Sequence, residues 1–281
     1  MPEKQNNYDK PVLITGCSSG IGLCVAKGLH ERGYRVFATA RKWEDKLKLE
    51  GLGIESLQLD LDDTLSIQNA IKEIKSKTNG TLYALFNNGA YGQPGAVEDL
   101  RRDTIRAQFE TNVFGTLELT NRIIPMMRKQ GYGRIIQNSS VLGFVAMKYR
   151  GAYNASKYAL EGLTDTLRLE LADTNIHCSL IEPGPITSKF RKNAYKAFKE
   201  NINTEKSIHR EHYQTLEEKL LTEGPAVPFT LPPEAVLKKV IHALESPHPK
   251  ARYYVTFPTY LFGYLKRILP DRILDRLLGK V

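Results

Sequence analysis

An α/β fold, a doubly wound parallel sheet of about seven strands with helices on both faces, is the fold class that this sequence predicts. Three observations predict it. Short apolar runs suited to buried parallel strands recur near residues 11–16, 34–40, 55–60, 82–87, 133–138, 176–181 and 252–256, with stretches of helical spacing between them. The first run, P-V-L-I-T-G, leads straight into T-G-C-S-S-G-I-G, a strand, a glycine-rich turn and a helix start in succession. The chain has 281 residues and no internal repeat, which suits one α/β domain over 1–281 with a large core.

In chain order, Gly16 would permit the tight turn after the first strand. Gly20 would let backbone approach a pyrophosphate, and Gly22 would let helix and strand pack closely. Leu23, Ala26, Gly28 and Leu29 carry the helix onward, and its N-terminal amides suit phosphates. The second strand ends at Arg41, followed by Lys42, with no acid over 34–42. An acidic residue there would suit a ribose hydroxyl, whereas an arginine suits a 2′-phosphate, so the expected cofactor is NADP(H). The third strand ends at Asp60 and Leu61, where Asp60, Asp62, Asp63 and Thr64 compete to cap the next helix. A helical stretch from about 103 to 129 contains Asn112. Asparagine is a poor helix-interior residue, because its amide competes for backbone groups, so a mild kink is expected there.

The fifth strand ends in Ser139 and Ser140. Thirteen residues past Ser140 comes Y-N-A-S-K, which places Tyr153 and Lys157 on one helix face. A free tyrosine has a pKa of about 10, too high for efficient acid–base work, and a fixed cation nearby favours the phenolate. The pattern points to proton transfer at a carbonyl or alcohol oxygen. E-P-G-P-I-T (182–187) follows the sixth strand.

Together, T-G-C-S-S-G-I-G, D-L (60–61), N-N-G-A (87–90), T-N-V-F-G (111–115), N-S-S (138–140), Y-N-A-S-K (153–157) and E-P-G-P-I-T resemble the motifs of the short-chain dehydrogenase/reductase family, in its single-domain branch. The resemblance runs from about 11 to 190 and continues toward 256. It is closest to aldehyde reductases and retinol or 17β-hydroxysteroid dehydrogenases. It implies a Rossmann-type sheet and a dinucleotide held by Gly16, Ser18, Ser19, Gly20, Ile21, Gly22, Arg41, Asp60, Leu61 and Asn87. Tyr153, Lys157, Pro183, Gly184, Ile186 and Thr187 would hold its nicotinamide half. It further implies Tyr153 as acid/base, Ser140 as hydrogen-bond donor to the substrate oxygen, and Asn112 as holder of a proton-relay water. Lys157 would bind ribose and lower the Tyr153 pKa. Many relatives read N-N-A-G where this chain reads N-N-G-A, so a local change of turn is expected beside Asn87. A small carbonyl or alcohol is the expected substrate, with aldehyde, ketosteroid, retinoid and 3-oxoacyl readings open. A non-catalytic NADPH-binding regulator is the alternative; a sugar-nucleotide epimerase fits less well, since that branch carries G-x-x-G-x-x-G.

The formal charge of +9 is scattered, with no basic cluster interleaved with aromatics, so no nucleic-acid partner is expected. Three cysteines cannot all pair, and His209 and His212 lie in a charged helical stretch, so reduced thiols and no metal are expected. The polar start M-P-E-K-Q-N-N-Y-D-K lacks a signal-peptide apolar region and no apolar run nears ~20 residues, so the expected location is cytoplasmic. Residues 188–231 are expected to form a substrate lid, with Phe190, Tyr195 and Phe198 as candidate apolar contacts. At the C-terminus, 260–281 read as two short amphipathic helices separated by Pro270. Basic residues interrupt them, so they could pack over the substrate cleft, form a subunit contact or meet a membrane surface, with packing the favoured reading. A homo-oligomer, dimer or tetramer, is expected.

Overall fold

The computed structural model describes residues 7–222, 224, 225 and 227–280; the reading of the first six residues therefore lies outside the described residues. In order, the elements are β1 (Pro11–Ile14), α1 (Gly20–Glu31), β2 (Arg35–Ala40), α2 (Trp43–Glu50), β3 (Glu55–Gln58), α3 (Thr64–Lys77) and β4 (Ala84–Asn87). Then come α4 (Arg102–Phe109), α5 (Thr116–Gln130), β5 (Gly133–Asn138), α6 (Gly151–Glu170), β6 (Ile176–Glu182), α7 (Phe190–Asn201) and α8 (Arg210–Leu221). The chain closes with α9 (Glu234–Glu245), β7 (Arg252–Tyr254), α10 (Phe257–Ile268) and α11 (Asp271–Leu278). All seven expected strands are present. They form one sheet in the order β3-β2-β1-β4-β5-β6-β7, each pair parallel.

Both faces of the sheet are covered, which is why the central strands β1 and β4 are buried along their whole length. Side chains alternate across β1: Val12 and Ile14 join one core with Val25, Leu29 and Val240 of α1 and α9. Leu13 joins the other, with Ile67 and Ile71 of α3 and Ile123 of α5. Strand order reverses between β1 and β4, and there the carboxyl ends of the strands leave a crevice.

The expected kink is a π-turn over Glu110–Gly115, joining α4 to α5. Gly115 permits it. A Cβ on Gly115 would stand 1.9 Å from the Leu61 carbonyl oxygen, so only glycine lets the turn lie against the chain leaving β3. The 188–231 segment is largely helical: α7 and α8 pack together through Phe198, Tyr213, Leu216 and Leu220, and reach Ala96 beyond β4. The two C-terminal helices form as expected, with Pro270 standing before α11. Their inner residues Phe262 and Leu274 pack on Val141 and Val145, next to the end of β5.

Candidate active site

The turn between β1 and α1 is built around its glycines. Gly16 (φ 70°) and Gly20 (φ 58°) adopt left-handed backbone, and a Cβ on Gly22 would lie 2.2 Å from the Gly16 carbonyl oxygen. Ser19, which precedes α1, makes no capping hydrogen bond with its side chain, and no acid occupies the first turn. The leading amides of α1 are therefore free to meet an anion. The donor chemistry and the glycine cradle both fit a dinucleotide pyrophosphate.

Asn88, between β4 and Gly89, clamps this turn from the side. Its Nδ2 donates to the carbonyls of Thr15 (2.9 Å) and Gly16 (3.2 Å), and the Asn88 and Gly89 amides both donate to Thr15 Oγ1. The inverted Gly-Ala order thus does local work: a Cβ on Gly89 would crowd Leu61 and Thr15 at 3.1–3.2 Å. Asn87 is buried and donates to Thr120 Oγ1 at 2.8 Å, leaving its own oxygen unpaired. Arg41 lies exposed just past β2, without a carboxylate within ion-pair distance among the described residues. The capping competition after β3 resolves in favour of Asp63, which accepts from Leu65 N at 2.9 Å. The Asp60 carboxylate accepts only from Asp62 N at 3.1 Å.

At the other end of the crevice, Ser140 follows β5 and its hydroxyl accepts from Leu142 N at 3.1 Å. Tyr153 and Lys157, one turn apart on α6, are both buried, and the Lys157 ammonium stands 5.7 Å from the centre of the Tyr153 ring. That ammonium donates to the Asn138 carbonyl at 2.7 Å. Phe190, the first residue of α7, meets the Tyr153 ring edge-on at 5.3 Å and covers Gly92. Of the expected apolar contacts, Phe190 alone touches the tyrosine; Phe198 is core, and Tyr195 packs beside it.

Burial pushes the Tyr153 phenol well above its ordinary value, and the nearby Ser140 hydroxyl only partly offsets this. Burial also pulls Lys157 down to about 8, with Glu161 opposing. Burial thus acts against the charged form of both groups, raising the phenol and lowering the amine.

Asn112 lies in the π-turn. Its Nδ2 donates to the Tyr91 carbonyl (2.9 Å) and Ser156 Oγ (3.1 Å), and its Oδ1 accepts from Tyr91 N at 3.2 Å, which pins the chain at Tyr91. Gln108, one turn earlier and fully buried, completes the clamp, donating to Tyr91 O (2.9 Å) and accepting from Gln93 N (2.7 Å).

Two further groups were not singled out from the sequence. Glu161, one turn beyond Lys157, and Glu182, at the end of β6, are buried around Arg252, which also pairs with Asp165. Burial and the neighbouring carboxyl push Glu182 up to about 8. The i,i+4 ladder Tyr153, Lys157, Glu161, Asp165 is the signal that could have found Glu161. Gly184 is held tightly against Thr256 and Thr259 at the start of α10, with Pro183, Ile186 and Thr187 beside it. Among the described residues no cluster of His, Cys, Asp and Glu could hold a metal. The thiols are unpaired, with Cys17 and Cys178 buried and pushed up to about 12.

The sequence profile of the short chain dehydrogenases matches residues 10–198. The uncharacterized oxidoreductase YbbO of Escherichia coli (strain K12) is 42% identical over 269 residues, covering 96% of this chain and 94% of that protein. Human 17-beta-hydroxysteroid dehydrogenase type 1 is 34% identical over 259 residues, covering 87% and 77%. Among solved structures, a short chain dehydrogenase/reductase from Burkholderia phymatum in complex with NAD superposes with a TM-score of 0.76, at 22% identity over 96% of this chain and 94% of that one. Glycine turn, parallel sheet and the buried Ser–Tyr–Lys group thus stand in a sequence that matches one family across most of its length, and the chain belongs to the short-chain dehydrogenase/reductase oxidoreductases.

Proposed function

We propose that the protein is an NADPH-dependent reductase of apolar aldehydes or ketones, reversible toward the alcohols. One observation carries the reading: Tyr153 is buried beside Ser140, with the Lys157 ammonium one turn away, 5.7 Å from its ring centre.

NADPH, when bound, supplies the hydride. The Ser140 hydroxyl donates to the substrate oxygen and orients it toward Tyr153. Tyr153 gives its proton to that oxygen as negative charge builds there. Lys157 then stabilises the phenolate formed in the step, which is a transition-state role and needs no phenolate at rest. Both side-chain donors of Asn112 are committed, so the proton-relay water falls to the main-chain carbonyls that the π-turn loosens. Phe190 against Tyr153 favours an apolar substrate, and the human relative is named for a hydroxysteroid. Arg41 supports NADPH over NADH.

The test is NADPH oxidation against short and long aldehydes, ketosteroids and retinal. Turnover of at least one apolar carbonyl, abolished in Tyr153→Phe while NADPH binding persists, is the expected result. Unchanged kcat in Tyr153→Phe overturns the mechanism, and NADPH binding with no turnover of any carbonyl favours a regulator.

A further inference from the structure

Away from the crevice, one face of α10 has no role in the site. Phe257, Tyr260, Leu261, Tyr264 and Ile268 are 55, 41, 39, 63 and 72% exposed. Their spacing puts them in one stripe along the helix. The opposite face of α10, with Thr259, Phe262 and Gly263, is buried. The helix thus has two apolar faces, one docked on the protein and one open. Phe229 extends the open face by stacking on Phe257 at 4.9 Å. Ile273 and Leu277 of α11, 46 and 40% exposed, continue it past the Pro270 turn.

Charge is sorted in the same way. Lys266 turns inward to the Phe144 carbonyl and the Tyr158 hydroxyl, and Arg267 turns to the Tyr254 hydroxyl (3.0 Å) and the Gly263 carbonyl (2.6 Å). The stripe itself carries no charge. Arg272 and Arg276 of α11, and Lys280 just past it, are exposed, and none has a carboxylate within ion-pair distance among the described residues. Between 257 and 280, Asp271 and Asp275 are the only acids.

We propose that α10 and α11 dock the protein on the surface of an anionic lipid bilayer. The α10 stripe enters the boundary between headgroups and acyl chains, where phenylalanine and tyrosine rings are at home. Arg272, Arg276 and Lys280 lie along the lipid phosphates. Charge decides between a bilayer and a second copy of the chain. A second copy of the chain, itself of net charge +9, offers no net negative charge to the unpaired cations beside the stripe. An anionic surface complements both the apolar stripe and its cationic end. No helix among the described residues is long and apolar enough to cross the membrane, so the contact is peripheral. The inner face of the same two helices rests on Val141 and Val145, next to Ser140. Docking therefore puts the site about one helix diameter, ~10 Å, from the lipid, a short path for the apolar carbonyl proposed above.

Co-sedimentation of the full chain with phosphatidylcholine vesicles, with and without phosphatidylglycerol, tests this, with light scattering on the same samples. Binding to the phosphatidylglycerol vesicles, weakened by salt, is expected. Tyr264→Asp/Ile268→Asp should lose that binding by about tenfold or more, with the melting temperature and oligomeric state unchanged. Arg272→Glu/Arg276→Glu should weaken binding only to the anionic vesicles. Failure of the unmutated protein to sediment with phosphatidylglycerol vesicles overturns the proposal, whatever its carbonyl turnover. A smaller assembly in Tyr264→Asp/Ile268→Asp also overturns it and assigns the stripe to contacts between copies.

Discussion

Lys157 carries the sharpest consequence at the scale of single residues. Its amine, lowered to about 8 by burial, must be charged to stabilise a phenolate, so its protonated fraction falls as pH rises through that value. The reductive kcat/KM should therefore have an alkaline limb near pH 8. Glu161 holds this amine up, so Glu161→Gln should move the limb to lower pH; an unmoved limb removes Glu161 from the account. The same shift bears on stability. A lysine whose folded pKa lies below its unfolded value of 10.5 destabilises the fold while charged, here by on the order of 3 kcal/mol. That penalty is full below pH 8 and fades between about 8 and 10.5. Lys157→Met should accordingly raise the denaturation midpoint at pH 7, with the difference from the unmutated protein narrowing above pH 8. Arg41 makes a separate prediction: a charge-assisted contact to a 2′-phosphate is worth roughly 1.5–3 kcal/mol, one to two orders of magnitude in affinity. Arg41→Asp should erase or reverse a preference for NADPH, and equal kcat/KM for both cofactors in the unmutated enzyme would remove that assignment.

At the scale of elements, the π-turn between α4 and α5 joins two parts of the site. Gly115 lets it lie against Leu61, past the end of β3, while Asn112 on the same turn pins Tyr91, past the end of β4. A methyl on Gly115 has backbone in its way, which no rotamer change relieves. Gly115→Ala should cost about 1–3 kcal/mol of stability, typical of overpacking, and raise the KM for the cofactor. Calorimetry and initial rates check both, and an unchanged KM would separate the turn from cofactor binding. The distortion at this turn was legible in the sequence, but the partners of Asn112 were not. Asparagine in a helix interior announced a distortion, but its direction depends on Tyr91 and Ser156, which are far away in sequence.

The whole molecule couples cofactor binding to folding. The crevice draws on the ends of β1, β2, β4, β5 and β6 and on the start of α1, so a ligand seated there stabilises only the assembled sheet. NADPH at about 100 times its Kd should add about 2.7 kcal/mol and raise the melting temperature by several degrees. No rise with either NADPH or NADH would contradict the cofactor site.

Strand number and sheet class, the glycine turn, the placing of Tyr153 and Lys157 on one helix face and the break at Pro270 were legible in the chain because each rests on local spacing, whereas Ser140 was chosen over Ser139 by family resemblance. Period 2, period 3.6 and a glycine forced to positive φ are properties of a few consecutive residues. Tertiary structure alone decided the burial of the site and the partners of Asn112 and Asn88. It also decided the carboxylate pair around Arg252 and the second apolar face of α10. These depend on what solvent is excluded and on which distant carbonyl or carboxylate arrives instead. Spacing placed the ammonium beside the phenol; burial, a property of the assembled core, raises the one pKa and lowers the other.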